Sequence, residues 1–292
     1  MSTGRVTQRS MSSVTLRGLQ AALGRTQDLQ NQLSSGRRVS RPADDPSAAV
    51  SAMKLRSHRA GDEQYLRNAD NGTGRLASAD SALQTVSTRL NRVRELVVQS
   101  QNGAIDTAGR ASLAAEIKQI RGDIIDQYNT RWLDRPVFGG TVPGGDAVDP
   151  ATGAYVGDDA DILTRISRDA TIRVDVKGSD AGADVLPGLL DDVADHVGTD
   201  DPAVPADLTA LDAAMTTVRT TLGDVGARES RIETTKDKVD SERLDFTARI
   251  SENEDVDLPE TIMKLQSQQV AYQSALGAAA KMLQTSLADY LR

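Results

Sequence analysis

The sequence predicts a mainly α fold, in which long N- and C-terminal helices form an antiparallel coiled-coil rod that carries a small α+β insertion domain. Apolar residues recur every three or four positions near both ends of the 292-residue chain, a spacing that places one apolar stripe on a helix face. Aromatic residues make up only 3% of the chain, so Leu, Val, Ile and Ala must supply the core. The middle is rich in Gly, Pro and Asp, which favour turns.

The N-terminal half is predicted to contain three helices. The apolar stripe of the first helix is formed by Leu16, Leu19, Leu23 and Leu33. After a break near residues 36–46, the stripe resumes from Leu76 to Val97 and again from Leu113 to Ile124. We expect each of these stripes to pack against another helix, because a stripe this wide cannot stay in water at low cost.

The break itself reads RPADDP, and Gly36 before it can end a helix. The paired Asp side chains can accept hydrogen bonds from the free N–H groups at the start of the next helix. A proline fits the first helical turn because no N–H is needed there. The sequence therefore predicts a capped turn formed by Arg41, Pro42, Asp44, Asp45 and Pro46.

The C-terminal third has the most regular pattern. Apolar positions follow heptad spacing over 208–250 without an internal proline, which predicts a helix about 65 Å long. After Pro259 the stripe resumes and continues to Tyr290. Sustained heptads favour coiled-coil packing over a globular enzyme. Polar seam residues such as Gln30 and Glu229 indicate either that neighbouring chains complete the seams or that the heptads are merely imperfect.

The insertion differs in composition from the helical ends. Residues 171–176 alternate as a half-buried strand does, residues 162–166 are its candidate partner, and a short helix is predicted from Leu189 to Val197. Residues 142–207 hold fifteen Asp against three Arg and one Lys, a net charge of −11, which argues against nucleic-acid binding. The predicted segments are 1–45, 46–138, 139–205, 206–255 and 256–292.

Several classes of site and of protein are disfavoured. The chain has no cysteine and only His58 and His196 as histidines, so we expect neither a disulfide nor a metal site. No apolar run is long enough for a membrane span, and no cleaved signal sequence is recognisable. No phosphate-binding glycine loop or nucleophile motif occurs, so we expect no catalytic residue, no cofactor and no enzyme activity.

Several blocks of the sequence, in order, resemble the bacterial flagellin superfamily. They read LSSGRRVSRPADDPSAA (33–49), a helix motif formed by Arg92, Val93, Arg94, Glu95 and Leu96, PVFGGT (136–141), VGARESRIE (225–233) and LPETIMKLQSQQ at the start of the last helix. The proline after the paired Asp and the ending SLADYL (286–291) are similar to the junction-type members rather than to filament flagellin. The block NTRWLDRPVF (129–138) departs from the family pattern, which puts the local loop geometry in doubt.

The resemblance implies a secreted structural subunit of the bacterial flagellum, exported through the type III pathway without a cleaved signal peptide. Its expected partners are further copies of itself in a ring, a hook-side junction protein, flagellin and an export chaperone. The ring would join hook to filament and seed flagellin assembly. The expected assembly interface is formed by Leu16, Leu19, Leu23, Leu33, Ile262, Leu265, Tyr272, Leu276, Leu283, Leu287 and Tyr290.

Two other functions remain open from the sequence. The first is filament flagellin, which would polymerise by itself into long filaments. The second is a cytoplasmic coiled-coil scaffold, which would form stable dimers. For a flagellar subunit we also expect residues 1–45 and 256–292 to be poorly ordered in the free chain and to fold on assembly.

Overall fold

The structure, a computed structural model, describes the backbone of residues 3–290 and the side chains of residues 13–281. The predicted mainly α fold with a small β region is confirmed. The helices of the described chain are α1 (Thr3–Ser35), α2 (Pro46–Ser100), α3 (Thr107–Tyr128), α4 (Leu186–Thr199), α5 (Val204–Glu254) and α6 (Leu258–Tyr290). The strands are β1 (Arg131–Trp132), β2 (Arg135–Pro136), β3 (Leu163–Arg165) and β4 (Thr171–Arg173).

The chain divides into two compact units. The terminal unit comprises residues 1–60 and 244–292, and the central unit comprises residues 61–243. The helices α2 and α5 each contribute to both units. The division into five segments made from the sequence stays a prediction.

The core of the central unit is continuous from the helices into the insertion. Helices α2, α3, α4 and α5 and the loop after β3 all supply side chains that are fully buried. They include Leu83, Leu90, Ile124, Ile166, Leu190 and Leu211. Burying a side chain of this size stabilises a fold by about 1.5–3 kcal/mol. The insertion therefore shares its apolar core with α2, α3 and α5.

Within the central unit, α2 and α5 run antiparallel. Arg94 Nε lies 2.9 Å from Asp212 Oδ1, and Lys236 Nζ lies 3.0 Å from Asp70 Oδ1. A later residue of α2 thus pairs with an earlier residue of α5, as antiparallel helices require. The predicted apolar stripe of α2 is buried from Leu76 to Val97.

The predicted pairing of two strands in the insertion is confirmed, but the second strand is shorter than expected. β3 and β4 are antiparallel, with Leu163 opposite Arg173 and Arg165 opposite Thr171. The ladder stops because Asp175 Oδ1 accepts the N–H of Ile162 at 2.7 Å, so a side chain takes the place of a backbone partner. Burial raises the pKa of this Asp175 carboxyl above its ordinary value.

The end of α3 is tied to the insertion by two polar side chains. Tyr128 donates its hydroxyl hydrogen to Ala181 O at 2.7 Å, and its ring meets that of Phe138 edge to face at 5.5 Å. Asn129 Oδ1 accepts the N–H groups of Ala147 and Val148 at 2.8 and 2.9 Å. These bonds satisfy polar groups that would otherwise be costly to bury.

The block at residues 129–138, which departs from the family pattern, forms a β-hairpin with a two-residue turn. Leu133 and Asp134, between β1 and β2, both have positive φ values, 48° and 62°, as a type I′ turn requires. This turn favours Asn-Gly, so Leu-Asp gave no signal from the sequence. Trp132 lies against Gly74 of α2, where any side chain would overlap the indole ring.

A contact between α4 and α5 makes the stability of the central unit depend on pH. A hydrogen bond to Asp207, at 3.0 Å from His196 Nδ1, raises the pKa of the His196 imidazole above its ordinary value. The charges of Asp207, Asp201 and Asp192 act in the same direction, against partial burial. The stabilisation is therefore complete below about pH 6.5, the ordinary value for histidine, and is lost as the pH rises through the raised pKa.

We expect wild-type protein to lose stability relative to His196→Asn as the pH rises through that window. Denaturant unfolding at a series of pH values measures the difference. Asp207→Asn removes the carboxylate and should abolish the same pH dependence. Parallel curves for wild type and His196→Asn would show that this contact does not stabilise the fold.

Candidate assembly surface

In the terminal unit, α1 and α6 pack against each other along one face each. Gln268 Nε2 of α6 donates to Ala22 O of α1 at 3.4 Å. Beside this contact lies an open groove of about 600 Å³, lined by residues of both helices that include Arg25, Leu29 and Met263. The two helices therefore cover each other in part and leave a groove along the seam.

The predicted interface residues fall into two groups. Leu19, Leu33, Leu265 and Tyr272 are half-buried. In contrast, Leu16, Leu23, Ile262 and Leu276 are exposed, with exposed fractions of 57%, 42%, 45% and 43%. The side chains of Leu283, Leu287 and Tyr290 lie outside the described residues. The predicted stripe is thus half covered by the partner helix and half open to solvent.

Further exposed apolar residues extend the open surface. They are Val14 of α1 and Leu258, Met263 and Val270 of α6. Met263 and Val270 are seven residues apart, one position beyond the row that the heptad pattern singled out. The sequence could have indicated both residues, because they form a second apolar row with the same seven-residue spacing. The exposed apolar residues of α1 and α6 are together called the open apolar face; they are Val14, Leu16, Leu23, Leu258, Ile262, Met263, Val270 and Leu276.

The predicted turn caps α2, and Asp45 does so as expected. Its Oδ1 accepts the N–H of Ala48 at 3.0 Å, and Pro46 is the first residue of α2. The role predicted for Asp44 is wrong. Asp44 Oδ2 accepts the N–H groups of Ser40 and Arg41 at 3.2 and 2.8 Å, which lie before it in the chain. Asp44 therefore closes the turn itself, because its side chain folds back over the preceding residues.

The remaining turn residues are exposed and support this geometry. Arg41 O accepts the N–H of Asp44 at 2.9 Å, and Arg41 and Pro42 face solvent. Gly36, directly after α1, has a φ of 70°, which confirms that a glycine ends the helix. Hydrogen bonds to their carboxylates lower the pKa of both Asp44 and Asp45, so both acceptors stay charged near neutral pH.

The turn is also fastened to the connection between α5 and α6, which the sequence did not indicate. Arg38 N donates to Glu254 O at 2.6 Å, and Val256 N donates to Gly36 O at 3.0 Å. The Arg38 guanidinium donates to Asn253 O at 2.8 Å. The buried Glu254 carboxylate pairs with Arg56 of α2. The point where α1 ends is therefore held beside the point where α6 begins.

The predicted helix motif links three helices of the central unit. Val93 and Leu96 are fully buried. Arg92 donates to Glu116 of α3 at 2.8 Å, and that bond, with the one to Glu95, raises the pKa of its guanidinium. Arg94, the second basic residue of the motif, pairs with Asp212 of α5, as described above. The motif thus joins α2 to α3 and α5 by charged groups that flank an apolar seam.

The part of the chain that the structure describes has neither a metal-binding cluster nor a helix suited to a membrane. No cluster of His, Cys, Asp or Glu there could hold a metal ion. None of the helices in the same residues has the length and hydropathy of a membrane span.

Comparison with protein families gives matches at both ends of the chain. The bacterial flagellin N-terminal helical region matches residues 6–134, and the bacterial flagellin C-terminal helical region matches residues 208–291. The chain belongs to the bacterial flagellin family. The turn, the helix motif, the exposed rows of α1 and those of α6 all lie within the matched regions.

Curated relatives include both junction and filament proteins. Flagellar hook-associated protein 3 of Escherichia coli is 28% identical over 97% of this chain and 98% of its own length. The Salmonella typhimurium protein of that name is 28% identical over 60% of this chain, and the match spans 56% of its own length. Flagellin of Bacillus subtilis is 28% identical over 89% of this chain and 90% of its own length.

Solved structures share the fold. A flagellar hook-associated protein from Vibrio parahaemolyticus aligns with a TM-score of 0.66 at 21% identity, covering 73% of this chain and all of that one. Bacillus cereus FlgL aligns with a TM-score of 0.60 at 19% identity, covering 68% of this chain and 99% of that one.

The cap on α2 gives a direct test of the turn. Asp45→Ala removes the acceptor of the Ala48 N–H, so we expect that amide to exchange with solvent faster and the first turn of α2 to fray. Asp45→Asn keeps an oxygen acceptor and serves as the matched control. Hydrogen exchange measured by NMR distinguishes them. Equal exchange of the Ala48 amide in both variants would contradict the capping role.

Proposed function

We propose that the protein is a structural subunit of the bacterial flagellum that forms the junction between hook and filament. In this proposal, copies of the chain assemble in a ring through α1 and α6, and the ring provides the surface on which flagellin begins to assemble. The protein acts by shape and contact, without a catalytic residue or a cofactor.

One observation carries the proposal: α1 and α6 leave an open apolar face although they already pack on each other. The described side chains on this face include Leu16, Leu23, Ile262 and Leu276. Exposed apolar side chains that recur on a helix pair in this way are typical of an interaction site. The correspondence with a hook-associated protein 3 over almost the full length of both chains supports the junction as the place of that interaction.

The energetics favour several contacts of moderate strength. Because each exposed Leu or Ile is already about half covered, burying the rest contributes about 0.7–1.5 kcal/mol, half of the full value. Ordering the side chains and the helices offsets much of that gain. In a closed ring each copy makes the same contact with two neighbours, so the free energies of these contacts add up over the ring. A ring of many copies can therefore be stable although a pair of copies is weak.

The turn supports assembly by positioning the two helices. Because Val256 N donates to Gly36 O and Arg38 N donates to Glu254 O, the end of α1 and the start of α6 are held side by side. The cap at Asp45 and the closure by Asp44 fix the chain between α1 and α2. The family-motif turn thus presents α1 and α6 as one surface to neighbouring copies.

The further partners follow from the same proposal. Hook-side contacts are to another junction protein, filament-side contacts are to flagellin, and an export chaperone covers the open apolar face before secretion. The protein is exported to the flagellum through the type III pathway without cleavage of a signal peptide. Covering the face before export would prevent the aggregation that an exposed apolar surface promotes.

Filament flagellin is the second candidate, and the match to Bacillus subtilis flagellin over 89% of this chain favours it. The ending at residues 286–291 and the Asp-Asp-Pro turn are more similar to the junction type. Polymerisation of the purified protein alone into long filaments would favour flagellin. A cytoplasmic scaffold is disfavoured because both ends match a flagellar family.

Deletion of the gene in its native host tests the proposal. Electron microscopy is expected to show hooks without filaments, with flagellin released into the medium, and a plasmid copy should restore filaments. Normal filaments in the deletion strain would contradict the junction role. Loss of the filament protein itself, with no flagellin in cells or medium, would support flagellin instead.

Ile262→Asp and Leu276→Asp test the open apolar face. Both side chains are about half exposed in the single chain, so we expect the variants to fold. A charge on the face should weaken association of copies about tenfold or more for each lost apolar contact. Analytical ultracentrifugation and complementation of the deletion strain measure the effect.

Ile262→Leu is the matched control, because it keeps an apolar side chain of similar size at the same position. It should complement as wild type does. Circular dichroism of both Asp variants checks that the helices are retained. Full complementation by folded Ile262→Asp and Leu276→Asp would rule out these positions as interface.

A further inference from the structure

The dipeptide Asn-Gly occurs twice in the chain, in two different structural settings. Asn71–Gly72 lies in the interior of α2, and Asn102–Gly103 lies in the loop between α2 and α3. Asn-Gly is the dipeptide in which the backbone nitrogen of the glycine most readily attacks the preceding side-chain amide, because no β-carbon obstructs the approach. The same chemistry is thus presented once in a rigid helix and once in a loop.

The loop places the reacting groups at Asn102 in an open setting. Both residues are exposed, and the space around Gly103 is free of neighbouring side chains. The Asn102 side chain is folded back over the following backbone, since its Oδ1 accepts the N–H of Ala104 at 3.2 Å. That N–H would stabilise the negative charge that develops on Oδ1 when its carbon is attacked, as a backbone donor does in an oxyanion hole.

The helix denies the same reaction to Asn71. In the interior of α2 each N–H donates to the carbonyl four residues earlier, and the helical backbone fixes the direction of the Gly72 nitrogen. Gly72 is also packed against Val174, which lies 2.8 Å from the position a β-carbon would take. Reaction at Asn71 therefore needs local unfolding of α2, which costs free energy.

We infer that Asn102 is a site of spontaneous deamidation, with water as the only co-reactant. The nitrogen of Gly103 attacks Cγ of Asn102, its proton passes to the leaving nitrogen, and ammonia departs as a five-membered succinimide ring closes. Water then adds to either ring carbonyl and opens it. The products are aspartate or isoaspartate at residue 102, and no electron is gained or lost.

The modification changes the charge and the backbone of the loop. A neutral amide becomes a carboxylate, and the isoaspartate product inserts one extra carbon into the main chain. The loop is closed by backbone bonds from Asn102 N to Gln99 O at 3.0 Å and from Ile105 N to Asn102 O at 3.1 Å. The inserted carbon follows the Cα of residue 102, so it leaves the first bond in place and moves the acceptor of the second out of the main chain. The loop before α3 therefore changes shape with age.

The test follows both Asn-Gly sites in the same sample of folded, full-length protein. The protein is incubated in heavy-oxygen water at mildly alkaline pH, denatured at set times and digested with trypsin. Cleavage after Arg and Lys separates the two sites into peptides 68–75 and 95–110. Mass spectrometry counts the label and locates it, and we expect conversion at Asn102 to be about tenfold faster than at Asn71 or more.

Denatured protein is the control that shows whether the folded structure causes the difference in rate between Asn102 and Asn71. In denaturant, both sites should convert at similar rates. Asn102→Gln should show no labelling at residue 102, because a glutamine would have to form a larger ring. Equal rates at the two sites in folded protein, or an unlabelled Asn102 in folded protein while the denatured protein is labelled there, would overturn the inference.

Discussion

The structure of the terminal unit depends on one constraint: α1 and α6 can bury only one face each by packing on each other. Two helices that pack on each other leave the side chains on their outer faces uncovered, and helices in water gain most of their stability from packing. Leu16 and Leu23 on α1 and Ile262 and Leu276 on α6 consequently stay in solvent. A surface of this kind is costly for a protein that works alone and useful for one that works in an assembly.

The central unit differs, because its own elements enclose a large apolar core, although single residues such as Leu133 and Leu163 stay exposed. Its helices and the insertion share one core, in which Leu90, Ile124 and Leu190 are fully buried. Charged groups such as Arg92 pair across helices at the edge of that core. The central unit is thus stabilised by its own core, whereas in our proposal the terminal unit gains part of its stability only on assembly.

The sequence predicted the helices well because apolar periodicity is a local signal, and it predicted Asp45 as a cap because the acceptor lies three residues from its donor. It failed where the partner is distant or unusual. Asp44 turned out to close the preceding turn, and the link from Arg38 to Glu254 joins residues more than two hundred positions apart. The hairpin at Leu133 was missed because its positive φ values are carried by non-glycine residues. The sequence also did not separate the covered half of the predicted stripe from the exposed half, because that division depends on how α1 and α6 pack together.

Hydrogen exchange of α1 and α6, compared between the free chain and the assembled ring, tests the central claim most directly. The account predicts that amides in 13–35 and 258–281 exchange rapidly in the free chain and at least about tenfold more slowly after assembly. Amides of α3, which is covered within the chain, should change little. If α1 and α6 are already as protected in the free chain as α3 and do not change on assembly, the open apolar face is not what holds the copies together.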